Sequence, residues 1–137
     1  MRHALLCYGV RRSVRWLAAA CEADTEGTNE YAIHSVARTL GFTTVHGLYR
    51  TAALTQETIC WHIRQGHPVL CCVDVATDGP WQHWVCIVGA GRYGVTLADS
   101  ARPGPVMRRH TWKQFMRRLA VWEDAKTNRY DIYPLCY

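Results

Sequence analysis

Apolar positions follow two patterns along this chain: helical spacing as far as about residue 66, and short apolar runs after it. Ile33, Val36, Ala37 and Leu40 recur at i, i+3, i+4 and i+7, the stripe of an amphipathic helix. Thr28 or Asn29 caps its start and Gly41 stops it. Val14, Leu17 and Cys21 share a face of an earlier helix that Ser13 caps and that runs to about Cys21. A short first helix ends at Gly9, where the glycine and Val10-Arg11-Arg12 interrupt the apolar spacing. Glu22 to Thr28 is polar and reads as a loop. A further helix carries Ile59 and Ile63 on its buried face. Thr55 is expected to cap it, and Gly66 and Pro68 end it.

Beyond that point the pattern is extended. Strands are expected at about 69–75, 84–89 and 93–98, all rich in Val, Ile and Leu, and the short stretch Phe42 to Leu48 is extended as well. Thr111 is expected to cap a last helix with Trp112, Phe115, Leu119 and Trp122 at helical spacing, and Tyr130 to Tyr133 forms a closing strand. Helices first and a mostly antiparallel sheet afterwards make an α+β arrangement with two segregated layers. With no repeat, low-complexity tract or linker in 137 residues, the expectation is one domain over 1–137.

Composition narrows the classes. The chain is 49% hydrophobic and 20% charged, as in ordinary globular proteins. No apolar run approaches the ~20 residues of a membrane helix, and the start MRHALLCYGV lacks the features of a secretory signal. Seven cysteines without the spacing of a disulfide framework point to a reducing, cytoplasmic setting. Cys60, Cys71, Cys72 and Cys86 sit in apolar segments, as small core residues do. Neighbours on a strand, Cys71 and Cys72 are expected to point to opposite faces and to pack rather than do redox chemistry. The net charge of +5 comes largely from scattered pairs, Arg11-Arg12, Arg108-Arg109 and Arg117-Arg118. They read as solvated faces, and no nucleic-acid partner is expected. His62 and His67 look isolated and no Cys-x-x-Cys or His-x-x-x-His pair exists, so neither a metal site nor a cofactor is expected.

The candidate chemistry lies late in the chain. His83 stands at the mouth of one strand and Asp99 closes the next, sixteen positions on. Such groups at neighbouring ends of an antiparallel pair can meet as a general base and the residue that orients it. The plainer alternatives are a surface histidine flanked by Trp81 and Trp84, and an Asx-turn aspartate before Ser100. Trp81 and Trp84 either line a substrate cleft or pack the sheet edge.

Several segments carry a family resemblance. The run GTNEYAIHSVARTLGF resembles the Gly-Thr-Ser, alanine-rich helix and Leu-Gly-Phe segment of papain-like cysteine peptidases. The nearest group is the bacteriocin-processing, double-glycine peptidases attached to peptide-exporting transporters. Gly66-His67-Pro68-Val69 is similar to their Gly-x-Pro strand start, and His83-Trp84-Val85-Cys86-Ile87-Val88-Gly89 to the strand of their catalytic histidine. Leu97-Ala98-Asp99 is similar to the strand ending in their aspartate, and Thr111-Trp112-Lys113-Gln114-Phe115 to a late helix. The likeness runs from Cys7 to about Trp122.

The resemblance implies a papain-like fold, a peptide or protein as substrate or partner, His83 as base and Asp99 as its orienting residue. In the family a Cys-Gly pair opens the first helix, where the helix dipole and an imidazolium favour the thiolate, and a preceding glutamine supplies an oxyanion donor. Tyr8-Gly9 matches the end of that helix, so counting back places the nucleophile before Met1. Cys7 is the candidate nucleophile within the chain. Were it to end the helix, it would lie ~10 Å from the reactive position at ~1.5 Å per residue. Three functions follow: a thiol peptidase, a catalytically inactive peptide-docking module, and an assembly subunit reusing the fold.

Overall fold

The computed structural model describes residues 1–25, 27–49, 51–74, 82–99, 106–119 and 130–137. In chain order the elements are α1 (Arg2–Cys7), α2 (Val14–Ala20), α3 (Glu30–Thr39), β1 (Thr43–Thr44), β2 (Gly47–Tyr49), α4 (Ala52–Arg64), β3 (Val69–Asp74), β4 (Gln82–Gly91), β5 (Gly94–Ala98), β6 (Met107–Thr111), α5 (Trp112–Arg118) and β7 (Tyr130–Cys136).

Side-chain caps set most helix starts. Ser13 accepts the amide of Trp16, and Asn29, rather than Thr28, accepts that of Ala32. Thr111 and Gln114 form a reciprocal capping box on α5. The expected cap of α4 is one turn too late. Thr51, with extended backbone, accepts the Leu54 amide, while Thr55 is buried within the helix and donates to the Thr51 carbonyl at 2.8 Å. A threonine inside a helix bonds back to the carbonyl four residues earlier, so the hydroxyl that caps is the first of the two. α5 ends at Arg118; Leu119 instead bridges to Val73, and Trp122 falls outside the described residues.

The sheet order is β1-β7-β3-β4-β5-β6, with β2 also on β7 and every pairing antiparallel. β6 was not expected from the sequence. Met107-Arg108-Arg109-His110-Thr111 is an edge strand with no buried face, so it carries no apolar alternation to read. β7 is longer than expected and joins the two halves of the sheet.

The expected α+β arrangement is observed, but helices cover both sheet faces rather than one. The reason lies in β3, which is buried at five successive positions, Val69 to Val73. Leu70 joins Leu5, Leu17, Ile33, Phe42 and Cys86 in the core beneath α1–α3. Cys71 and Val73 join Ile59, Val85, Ile87 and Phe115 beneath α4 and α5. Each such Val, Leu, Ile or Phe side chain contributes about 1.5–3 kcal/mol through burial. Among the described residues, no helix is long and apolar enough to cross a membrane.

Candidate active site

Strand register brings the two predicted polar residues together. Cys86 lies opposite Ala98 in the β4–β5 pair. Continuing that register sets Asp99 across from Val85, with His83 as its diagonal neighbour on the same face. His83 Nε2 lies 3.2 Å from Asp99 Oδ1. At that separation the two atoms are in close electrostatic contact without an aligned hydrogen bond. Asp99 is fully buried, and its amide donates to the Val106 carbonyl at 2.9 Å.

The second carboxylate oxygen is held from α5. Arg118 Nη2 lies 3.4 Å from Asp99 Oδ2, and its Nε donates to the Asp74 carbonyl at 3.4 Å. The sequence reading placed this arginine on a solvated face; the structure corrects that, since its side chain is only 17% exposed. Its position could have been read from spacing: it lies three residues after the buried Phe115 and beside the buried Leu119.

Burial is the largest influence on His83 and lowers its pKa. Asp99 opposes this, while Arg118 and the amino group at Met1 lower it further. The ring is therefore neutral near pH 7, the state in which an imidazole accepts a proton. With Nε2 turned to Asp99, Nδ1 is the atom available for proton exchange.

A cleft of about 600 Å³ lies beside the pair, with His83, Trp84, Cys72 and Gln82 on its sheet wall and the Glu22–Glu30 segment opposite. Trp84 both lines the cleft and packs. Its Nε1 donates to the Thr28 carbonyl at 2.8 Å, and its ring meets Tyr133 edge-on at 5.3 Å. Trp81 lies outside the described residues. Cys72, expected from the sequence to pack in the core, and Gln82, which the sequence did not single out, approach at 3.6 Å between Sγ and Oε1 on the cleft wall.

Cys7 is not brought to this pair. It ends α1, its thiol donates to the His3 carbonyl at 3.3 Å, and burial raises its pKa. The other end of α1, at Met1, borders Trp84, Val85 and Cys86 on β4. The axial rise from Met1 to Cys7 is ~9 Å.

No protein-family model and no curated protein matches the chain by sequence. Among solved structures, it is similar to the peptidase domain of Streptococcus ComA, a bifunctional ABC transporter involved in a quorum-sensing pathway. The TM-score is 0.68 at 19% identity, over 98% of this chain and 85% of that one. The fold is that of a papain-like peptidase domain. Within this papain-like architecture, the cleft wall that holds His83 is the start of a sheet strand, and the amino end of α1 borders the following residues of that strand.

Proposed function

We propose that residues 1–137 form a single papain-like domain that takes a peptide or protein segment into the cleft beside His83, with His83 as base and Asp99 as its orienting residue. The observation that carries this reading is the His83–Asp99–Arg118 array, in which His83 lines the cleft: a neutral imidazole held by a buried carboxylate. A chain with no use for the ring would gain little by burying an aspartate there, because a buried charge is costly unless paired. In this reading the peptide lies along Trp84 and is bounded opposite by Glu22, Asp24 and Glu30, which favour a segment carrying basic residues.

Binding without turnover is the form of the proposal that six of the seven thiols support. Cys7, Cys21, Cys60, Cys71, Cys86 and Cys136 all have their pKa raised, with burial the leading cause, the reverse of an activated nucleophile. Hydrolysis requires a thiol facing His83 Nδ1 from the amino end of α1, where the family's Cys-Gly pair would stand. Seven free cysteines support a reducing, cytoplasmic setting.

The test uses fluorescent peptides of varied charge that carry a double-glycine site. Anisotropy reads binding, and mass spectrometry of the same samples reads cleavage. Saturable binding weakened by Trp84→Ala, without cleavage, is the expected result. Cleavage that disappears in His83→Ala would establish the peptidase instead, and absence of binding across the panel would overturn both forms.

A further inference from the structure

The end of the sheet away from His83 holds a second cluster of reactive side chains. α4 closes in a Schellman turn: the His67 amide donates to the His62 carbonyl at 2.9 Å and the Gly66 amide to that of Ile63 at 3.0 Å, with Gly66 at φ +79°. A left-handed backbone at that position suits glycine and folds the chain back, so two histidines five residues apart lie side by side. The third group arrives from far along the sequence. Leu135 donates its amide to the Pro68 carbonyl at 2.9 Å, and β7 thereby carries Cys136 to the same place.

The three donor atoms converge. His62 Nδ1 and His67 Nδ1 are 3.4 Å apart, Cys136 Sγ and His67 Nδ1 are 3.6 Å apart, and all three lie within 4.8 Å of one another. Zinc binds imidazole nitrogen at ~2.0–2.1 Å and thiolate at ~2.3 Å, so a tetrahedral ion requires ligand edges of ~3.3 Å for N···N and ~3.6 Å for N···S. The two closest edges already have these lengths. His62 is buried, while His67 and Cys136 are half-buried, so an ion has a route in. The sequence expectation that His62 and His67 stand isolated is corrected, because a helix cap and a distant strand supply adjacency that spacing alone did not show.

We propose that His62, His67 and Cys136 form a Zn²⁺ site with its fourth position open to water. Two imidazoles and a thiolate suit zinc and not magnesium or calcium, which take oxygen ligands. Binding replaces the S–H bond by an S–Zn bond and releases that proton to solvent. The ion ties the end of α4 and the start of β3 to the end of β7. It is separate from the proposed peptide site. His83 pairs with Val73 and the cluster adjoins Val69, four residues or ~13 Å away along β3.

The test begins with reduced, chelator-treated full chain. Titrated with Co²⁺, it should take up one ion per chain, with a thiolate-to-cobalt charge-transfer band and the visible bands of tetrahedral cobalt. Zn²⁺ should displace the Co²⁺ and raise the thermal midpoint. Cys136→Ser should abolish the charge-transfer band, and His67→Gln should weaken binding at least tenfold, with far-ultraviolet circular dichroism unchanged in both. In the unmutated chain, stoichiometric Zn²⁺ should slow iodoacetamide labelling of Cys136, mapped by peptide mass, at least tenfold. A charge-transfer band that survives in Cys136→Ser, or Cys136 labelling indifferent to Zn²⁺, would overturn the site.

Discussion

Replacing Asp99 by asparagine removes one charge from a fully buried position while keeping the shape of the side chain. The carboxylate faces His83 on one oxygen and Arg118 on the other, at 3.2 and 3.4 Å. A hydrogen bond to a charged group contributes about 1.5–3 kcal/mol, and breaking a buried ion pair from one side costs about 3–5 kcal/mol. Arg118 and His83 keep 17% and 24% of their side-chain surface. Water therefore relieves part of the loss, and the cost should be about 2–4 kcal/mol. With a urea slope of roughly 1–3 kcal/mol/M for a protein of this size, the unfolding midpoint falls by roughly 1–2 M. Asp99 raises the His83 pKa and Arg118 lowers it. Asp99→Asn should therefore move the His83 titration, followed by NMR of the ring protons, to lower pH, and Arg118→Met should move it to higher pH. A loss below about 0.5 kcal/mol, or shifts of the same sign in both variants, would refute the idea that one carboxylate is shared between the His83 ring and the Arg118 guanidinium.

Other consequences follow from the packing and the histidines. Gly94→Ala should cost about 1–3 kcal/mol and disturb the β5–β6 pairing, because the new Cβ would sit 1.9 Å from the His110 carbonyl oxygen. Gly91→Ala, where a Cβ meets nothing within 4 Å, should stay within about 0.5 kcal/mol; equal urea midpoints for the two variants would contradict the close approach. Phe115→Ala, which empties the core beneath α5, should cost about 3–5 kcal/mol by the same measurement, and retention of the wild-type midpoint would show that α5 is not docked as described. Burial is the leading cause of lowered pKa at His3, His34 and His83. The unfolded chain then binds more protons than the folded one as pH falls below about 6.5, so stability is full above that value and declines on acidification. Thermal midpoints in chelator should hold from pH 7.5 to about 6.5 and drop from there to 5.5, and a flat profile would contradict the assignment.

The helices were legible because apolar residues recur on one face; α3 buries its stripe of Ile33, Val36 and Ala37, whereas α2 buries only Leu17 and leaves Val14 exposed. Caps were read where one candidate hydroxyl preceded the stripe, and misread at α4, where Thr51 and Thr55 both offered one. β3 to β5 were legible as apolar runs, whereas β6 is exposed or half-exposed along its length and left no such record. The meeting of His83 and Asp99 follows from strand register, which neighbouring strands fix locally. Arg118 was legible in part, from its helical spacing to Phe115, whereas Cys136 arrives on a strand paired through tertiary contacts, for which there is no local sequence pattern.

β7 completes a sheet whose first strand was made long before it. Thr43 and Thr44 of β1 pair with Cys136 and Leu135, and the Tyr8 hydroxyl donates to the Leu135 carbonyl across 127 positions of chain. Closing a loop of that length costs about 4 kcal/mol of chain entropy before any contact offsets it. During synthesis from the amino end, β1 and β3 must therefore wait for residues 130–136 to leave the ribosome. Until then the buried edge of β3 is open to any other strand, so a chain interrupted before Tyr130 presents a sticky, unpaired edge.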